Sequence, residues 1–285
     1  MSKIIFVADL FKGDALGGAE LHDDVVLQHF KSKNMLYDYI RTQDLTEQYL
    51  KENTDKIWFV GNFFGMQEKH KAYLASNCEY LLYEHDYKFC KTRNPITFPN
   101  FICPPHQLTN LNFYFRAKKI ICLSKMHRDI FQRNIAANNL TNVNCSMWAD
   151  EDLKVILELE EEFRENKKSK FAVINSPNPI KKTRETVVFC ESNNIEYDLI
   201  SSPDHHSFLR KLAQYQGLIF QTGHPEPTPR VAIEAKMLGC KFLSQKELIG
   251  VAQEDYFNLS GIEMIREVRE MRDEALQKIV GWINE

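Results

Sequence analysis

GHPEPTPRVAIEAKMLGC (residues 223–240) follows one apolar run, YQGLIFQT, and leads into another, CKFLSQ. The order reads as strand, crowded turn, helix, strand, which is the unit of a parallel sheet. Within it Glu226 and Glu234 stand with seven residues between them. Thr228 can cap a helix whose first residue is Pro229, because proline at that position loses no needed donor. The free N–H groups and the positive end of the helix dipole then favour an anion, and a diphosphate fits. Glu226 lies just before the helix, beside such an anion, where a carboxylate suits hydroxyls or a developing positive charge. Glu234 lies about a turn and a half into the helix, and helical side chains lean back toward the amino end. From there it can reach a neutral polyol such as a ribose diol. Arg230, at the second helical position, could neutralise phosphate charge. A solvated loop or helix end explains either glutamate alone. Their joint spacing after a strand carries the reading.

The same alternation extends outward from this stretch. KIIFVADL, KIWFVGNF, EYLLYEHD and KKIICLS read as strands in the first half, with helical patterns such as GGAELHDDVVLQHFKSK and KMHRDIFQRNIAAN between them. KFAVINS, EYDLISS, GLIFQT and CKFLSQ repeat the arrangement in the second half. Across 142–170 the pattern gives way to an acidic and then a polar segment. The fold class expected is α/β, with two domains built on parallel sheets and a cleft between them. The boundaries expected are 1–145 and 146–265, followed by a terminal helix over 266–285. Ligands of such sheets bind at the carboxyl ends of the strands. No short-period repeat or low-complexity tract interrupts the chain.

Composition narrows the classes of function. The chain has 285 residues and a net charge of -3, with no global basic excess pointing to nucleic acid. One basic run, 115–133, carries Arg116, Lys118, Lys119, Lys125, Arg128 and Arg133 against Asp129. A solvated face and a docking face for an acidic or membrane-borne acceptor both fit it. The seven cysteines include no CxxC pair and form an odd set, as in a reduced, cytoplasmic protein. No signal peptide and no apolar stretch long enough to span a bilayer is evident.

Weaker signals complete the set. ADLFKGDALGGAEL (8–21) is a Gly-rich loop between the first strand and the first helix, with Gly13, Gly17 and Gly18. Such a loop lets backbone N–H groups approach a phosphate or sugar, and a plain tight turn explains it as well. It is neither GxGxxG nor a P-loop. Asp150 and Asp152 have DxD spacing, but they open an acidic helix, where capping and dipole complementarity account for them. His205 and His206 open another helix. Adjacent helical residues point apart, which favours a surface or nucleotide-loop role over a metal pair. No metal site is expected.

At this point the motifs resemble a family. GHPEPTPRVAIEAKMLGC is similar to the E-x7-E signature of retaining glycosyltransferases of the GT-B fold, group 1 or GT4. GGAEL resembles their Gly-Gly loop, KKIICLSKMHRDIF their last N-domain strand and helix, and NPIKKTRETVVFC the segment with a donor-phosphate lysine. The resemblance keeps the family's order across both halves and implies two Rossmann-like domains with parallel sheets facing a cleft. It implies a nucleotide diphosphate sugar as donor, held mainly by the second domain. It also implies a glycan, lipid-linked or small-molecule acceptor bound by the first, no metal or other cofactor, and a final helix crossing back to the first domain. Position by position it implies Glu226 at the donor sugar, Glu234 at the ribose and Lys181 at the diphosphate. Gly17 and Gly18 fall under the phosphates and sugar, and His85 near the sugar. Two departures stand out. Lys182 occupies the usual glycine position after the phosphate lysine, and Asn175 and Ser176 stand where the family often has arginine. Arg230 is a candidate for the missing charge. A non-catalytic nucleotide-sugar or glycan-binding module, and another GT-B enzyme such as a sugar-nucleotide epimerase, fit the same fold.

Overall fold

The computed structural model describes residues 3–14 and 17–285. Ala15 and Leu16 of the Gly-rich loop lie outside the described residues. By contacts the chain divides into two compact units. The first comprises 1–147 with 273–285, and the second comprises 148–272.

The first unit is built on β1 (Ile4–Ala8), α1 (Gly18–Ser32), β2 (Leu36–Arg41), α2 (Glu47–Glu52), β3 (Ile57–Val60) and α3 (Glu68–Asn77). It continues with β4 (Glu79–Tyr83), α4 (Leu111–Arg116), β5 (Lys119–Cys122), α5 (Lys125–Ile135) and β6 (Leu140–Asn142). Every residue of β1 is buried, as the unbroken apolar run IIFVA requires of a central parallel strand. The six strands are parallel in the order β2-β1-β3-β4-β5-β6. The two outermost strands are the ones that apolar runs did not reveal. β2 alternates half-buried and exposed positions, and β6 is only three residues long.

The second unit contains α6 (Asp150–Phe163), β7 (Lys168–Ile174), α7 (Thr183–Ser192), β8 (Tyr197–Ile200), α8 (His205–Ala213), β9 (Tyr215–Ile219), α9 (Arg230–Met237) and β10 (Lys241–Leu243). Its four strands are parallel, in the order β10-β9-β7-β8. The last helix, α10 (Gly261–Asn284), begins in the second unit and ends among residues grouped with the first. Among the described residues no helix is long and apolar enough to cross a membrane.

In each sheet the strand order reverses direction at one place. That place lies between β1 and β3 in the first unit and between β7 and β9 in the second. At such a switch point the following loops run to opposite faces and leave a crevice at the carboxyl ends of the strands. The loops after β7 and β9 contain Lys181 and Glu226. The loops after β1 and β3 contain Asp9 and Gly61.

Candidate functional site

In the second unit, main-chain bonds bring the two loops together. The Gly223 N–H donates to the Ile180 carbonyl at 2.9 Å, next to Lys181. The Glu226 N–H donates to the Leu248 carbonyl at 2.8 Å, and the Gly250 N–H donates to the Glu226 carbonyl at 2.9 Å. This short parallel bridge with Leu248–Gly250 fixes the Glu226 backbone on both sides. The side chains then meet: Lys181 Nζ donates to Glu226 Oε1 at 2.9 Å, with the two side chains 31% and 18% exposed. The Lys181 ammonium also sits 5.2 Å from the centre of the Phe220 ring. A lysine and a carboxylate, paired but still reachable by solvent, can both be redirected toward a charged and hydroxylated ligand.

The start of α9 differs from the sequence expectation. The helix begins at Arg230, so Arg230 is its first residue rather than its second, and Pro229 is the capping residue with extended backbone. Thr228 therefore does not cap it. Pro229 takes the cap position because its backbone leaves the helical region there (ψ 115). Thr228 Oγ1 is buried and, among the described residues, has no hydrogen-bond partner.

Arg230 turns inward. Its side chain is 7% exposed, lies over the Trp148 ring at 4.5 Å, and approaches Glu234 at 3.5 Å and Asp152 at 4.0 Å. The i,i+4 spacing on one helix sets the Arg230–Glu234 approach. Burial lowers the Arg230 pKa, against the pull of Glu234 and Asp152. The guanidinium is thus engaged inside the unit and is not displayed at the helix end.

Glu234 is also buried. Its Oε1 accepts the Trp148 indole N–H at 3.0 Å and a bond from His205 Nε2 at 2.8 Å. Burial pushes its carboxyl up, but His205, Arg230 and Trp148 together hold it below its ordinary value. His205 moves the other way. Burial lowers its pKa, yet the bond and charge of Glu234 leave it above the ordinary histidine value. Nothing in the sequence pattern pointed to Trp148, whose run lies at the joint between the units.

In the first unit, Gly17 caps α1 without a side chain, and Gly18 is its first residue. The Glu20 carboxylate folds back over Gly17, so closely that a Cβ there would come 2.1 Å from Glu20 Oε2. His85 follows β4 and bonds through Nε2 to Asp23 Oδ1 at 2.7 Å. Asp23 packs in turn on Gly61, where a Cβ would come 2.5 Å from Asp23 Oδ2. His22, one residue before Asp23, bonds to the Tyr83 hydroxyl and to Ser146 Oγ, the latter at 3.1 Å. The His22 and His85 rings pack edge-on with centres 5.3 Å apart. Read from sequence, α1 is an apolar stripe of Leu21, Val25, Val26 and Phe30. The structure buries His22 and Asp23 on it as well. A buried aspartate bonded to one ring nitrogen fixes the orientation of an imidazole.

The basic run is partly neutralised within its own unit. Lys118 pairs with Glu79, Lys119 with Glu285, and Arg128 with Asp129.

No family model and no curated protein matches the sequence. Solved structures do. HepE of Anabaena, in complex with UDP-glucose, has a TM-score of 0.54 at 15% identity, over 99% of this chain and 92% of that one. AviGT4, a glycosyltransferase involved in avilamycin A biosynthesis, gives 0.57 at 10% identity, over 100% and 97%. Sucrose-phosphate synthase from Thermosynechococcus elongatus gives 0.61 at 9% identity, over 99% and 98%. The chain has the GT-B fold. Coverage of nearly the full length means that both units of this GT-B chain are matched, the four-stranded sheet as well as the six-stranded one. In GT-B terms, Lys181 and Glu226 lie at the switch point of the second sheet, while Gly17, Gly18 and His85 follow strands or loops of the first.

Proposed function

We propose that the chain is a retaining glycosyltransferase that moves a sugar from a nucleoside diphosphate sugar to a hydroxyl of a glycan, lipid-linked or small-molecule acceptor. The observation that carries this is the Lys181–Glu226 pair, 2.9 Å apart at a switch point, which joins the donor-phosphate lysine of the resemblance to the first glutamate of its E-x7-E signature. In the reaction the bond from the anomeric carbon to the diphosphate breaks. The acceptor oxygen bonds to that carbon on the same face, and the acceptor proton leaves with the diphosphate. Lys181 meets the negative charge that grows on the leaving group, and the N–H groups at the start of α9 add to this, so the transfer step calls on no metal ion. Thr228 Oγ1, buried without a partner among the described residues, can donate to a phosphate oxygen there. Glu226, released from Lys181, accepts from sugar hydroxyls. Glu234, assigned to the ribose by the resemblance, is oriented by Trp148, His205 and Arg230. The resemblance assigns Gly17 and Gly18 to the phosphates and sugar, and His85 to the sugar. UDP-glucose is the first donor to try, since HepE binds it.

Lys181→Ala and Glu226→Ala are each expected to lower transfer by at least about 100-fold while the proteins stay folded. Near-normal rates in both variants sink the assignment. A thermal-shift panel of uridine, guanosine, adenosine and thymidine diphosphates and their sugars identifies the base, because a ligand of the folded state raises its midpoint.

One observation favours a second stereochemical reading. His85 held by buried Asp23 has the build of a general base, which an inverting transfer requires and a same-face transfer does not. Proton NMR of the first-formed product separates them: retention keeps the donor's α configuration, and inversion gives β.

A further inference from the structure

The starts of α6 and α8 bring three metal-binding side chains together. His206 Nε2 lies 2.9 Å from Asp152 Oδ1, and His205 Nδ1 lies 3.9 Å from the same oxygen. One ligand atom from each of the three residues falls within 4.8 Å of the other two. The expectation that adjacent histidines point apart fails here because they occupy the first two positions of α8. There the chain is only entering the helix and both rings can swing toward Asp152.

The protonation pattern gives the cluster its meaning. His205 uses Nε2 to bond the buried Glu234 carboxylate at 2.8 Å, so a neutral ring carries its proton on Nε2 and its lone pair on Nδ1. With the ring neutral, that lone pair lies 3.9 Å from Asp152 Oδ1, so a cation placed between them can take both as ligands. The other oxygen, Asp152 Oδ2, is turned to Arg230 at 4.0 Å, which leaves Oδ1 to a single ligand bond. A carboxylate behind a histidine is the usual outer support of a histidine that binds metal, and here Glu234 is itself fixed by Trp148 at 3.0 Å. Atoms bound to one tetrahedral zinc at about 2.0–2.2 Å lie roughly 3–3.5 Å apart, so small side-chain rotations bring the three into range.

We propose that Asp152 Oδ1, His205 Nδ1 and His206 Nε2 form a binding site for a borderline divalent cation, with zinc the best match to two imidazoles and one carboxylate. The ion ties the first turns of α6 and α8 together and holds His205 against Glu234. It is separate from the Lys181–Glu226 pair and does not depend on the transferase reading.

The test uses the full chain, stripped of metal, with no nucleotide or sugar present. Equilibrium dialysis with elemental analysis should find one zinc per chain at micromolar concentration, with a rise in thermal midpoint. His206→Ala, on a side chain 52% exposed, should weaken binding by at least about 10-fold while leaving the metal-free midpoint unchanged. Asp152→Asn should weaken it as well. Cobalt in place of zinc should give visible d–d bands without a thiolate charge-transfer band. No saturable zinc binding at micromolar concentration, equal binding by wild type and His206→Ala, or a thiolate band would each overturn the site.

Discussion

Lys182 shows how a single residue can depart from a family pattern and keep its geometry. Its backbone is left-handed, φ 49 and ψ 36, the region that glycine enters freely and a side chain enters at a cost of roughly 1–2 kcal/mol. The resemblance put glycine at this position, and the structure supplies the reason: the chain must turn sharply between Lys181 and α7. Lys182→Gly is therefore expected to stabilise the second unit by about 0.5–1 kcal/mol. The gain is the relieved strain less the greater freedom of glycine in the unfolded chain. The exposed Lys182–Glu185 pair lost with it contributes only a few tenths. Urea unfolding checks this, and an unchanged or lower midpoint contradicts it. At this scale the sequence singled out Glu226 as a carboxylate among turn residues, the resemblance singled out Lys181, and in the structure the two side chains pair. The sequence was not legible for Asp23, Gly61 and Trp148. Their roles arise from partners 62, 38 and 86 positions away: Asp23 meets His85, Gly61 meets Asp23, and Trp148 meets Glu234. No local pattern marks such pairings.

At the scale of the element, α5 carries a pH-dependent part of the stability. His127 lies fully buried in its first turn. Its Nδ1 accepts the Leu123 N–H at 3.2 Å, and its Nε2–H donates to the Asp86 carbonyl at 2.9 Å. Both ring nitrogens are satisfied by the neutral form alone, and burial holds the pKa down to about 3. The folded value is depressed below the ordinary 6.5, so the contribution is complete above pH 6.5 and is lost as pH falls from there toward 3. By pH 5 the loss reaches about 2 kcal/mol. His205 has the opposite sign. Its raised pKa gives stability below the ordinary value that disappears as pH rises through the folded one. Urea unfolding of wild type and His127→Asn at pH 7.5 and 5 isolates the α5 term as the difference between their pH slopes. The variant is expected to be less stable at pH 7.5 but flatter with pH, and equal slopes would refute the assignment. In the first unit, strands were readable in the sequence in proportion to their burial. The central strands stand out as apolar runs. β2 and β6 do not, because strands at the edge of a sheet need no such run. The first residue of α9 was misplaced by one because proline fits both the cap and the first turn.

At the scale of the molecule, the last helix raises a question of dependence. Residues 273–285 group with the first unit, whose remaining residues end at Met147, and the intervening 148–272 fold as the second unit. Periodicity alone identifies α10 as a helix; it does not say which unit its end completes. In the structure Ala275, Leu276, Ile279 and Ile283 of that end are buried, and Glu285 pairs with Lys119 of β5 at 2.9 Å. Burying three large aliphatic side chains contributes about 5–8 kcal/mol as an upper estimate. That is comparable with the whole stability of a domain, about 5–15 kcal/mol. The first unit should therefore depend on a segment made only after the second is complete. A chain ending at Arg272 is expected to lose hydrogen-exchange protection in β1, β3, β4 and β5 while β7 and β9 keep theirs. Ile279→Ala should move the same strands in the same direction at a cost of about 2–4 kcal/mol. It does so without removing any backbone, so it separates lost packing from the effect of truncation. If protection in the first sheet is unchanged in both proteins, the terminal segment rests on that unit without holding it together. The six-stranded sheet would then be stable on residues 1–147 alone.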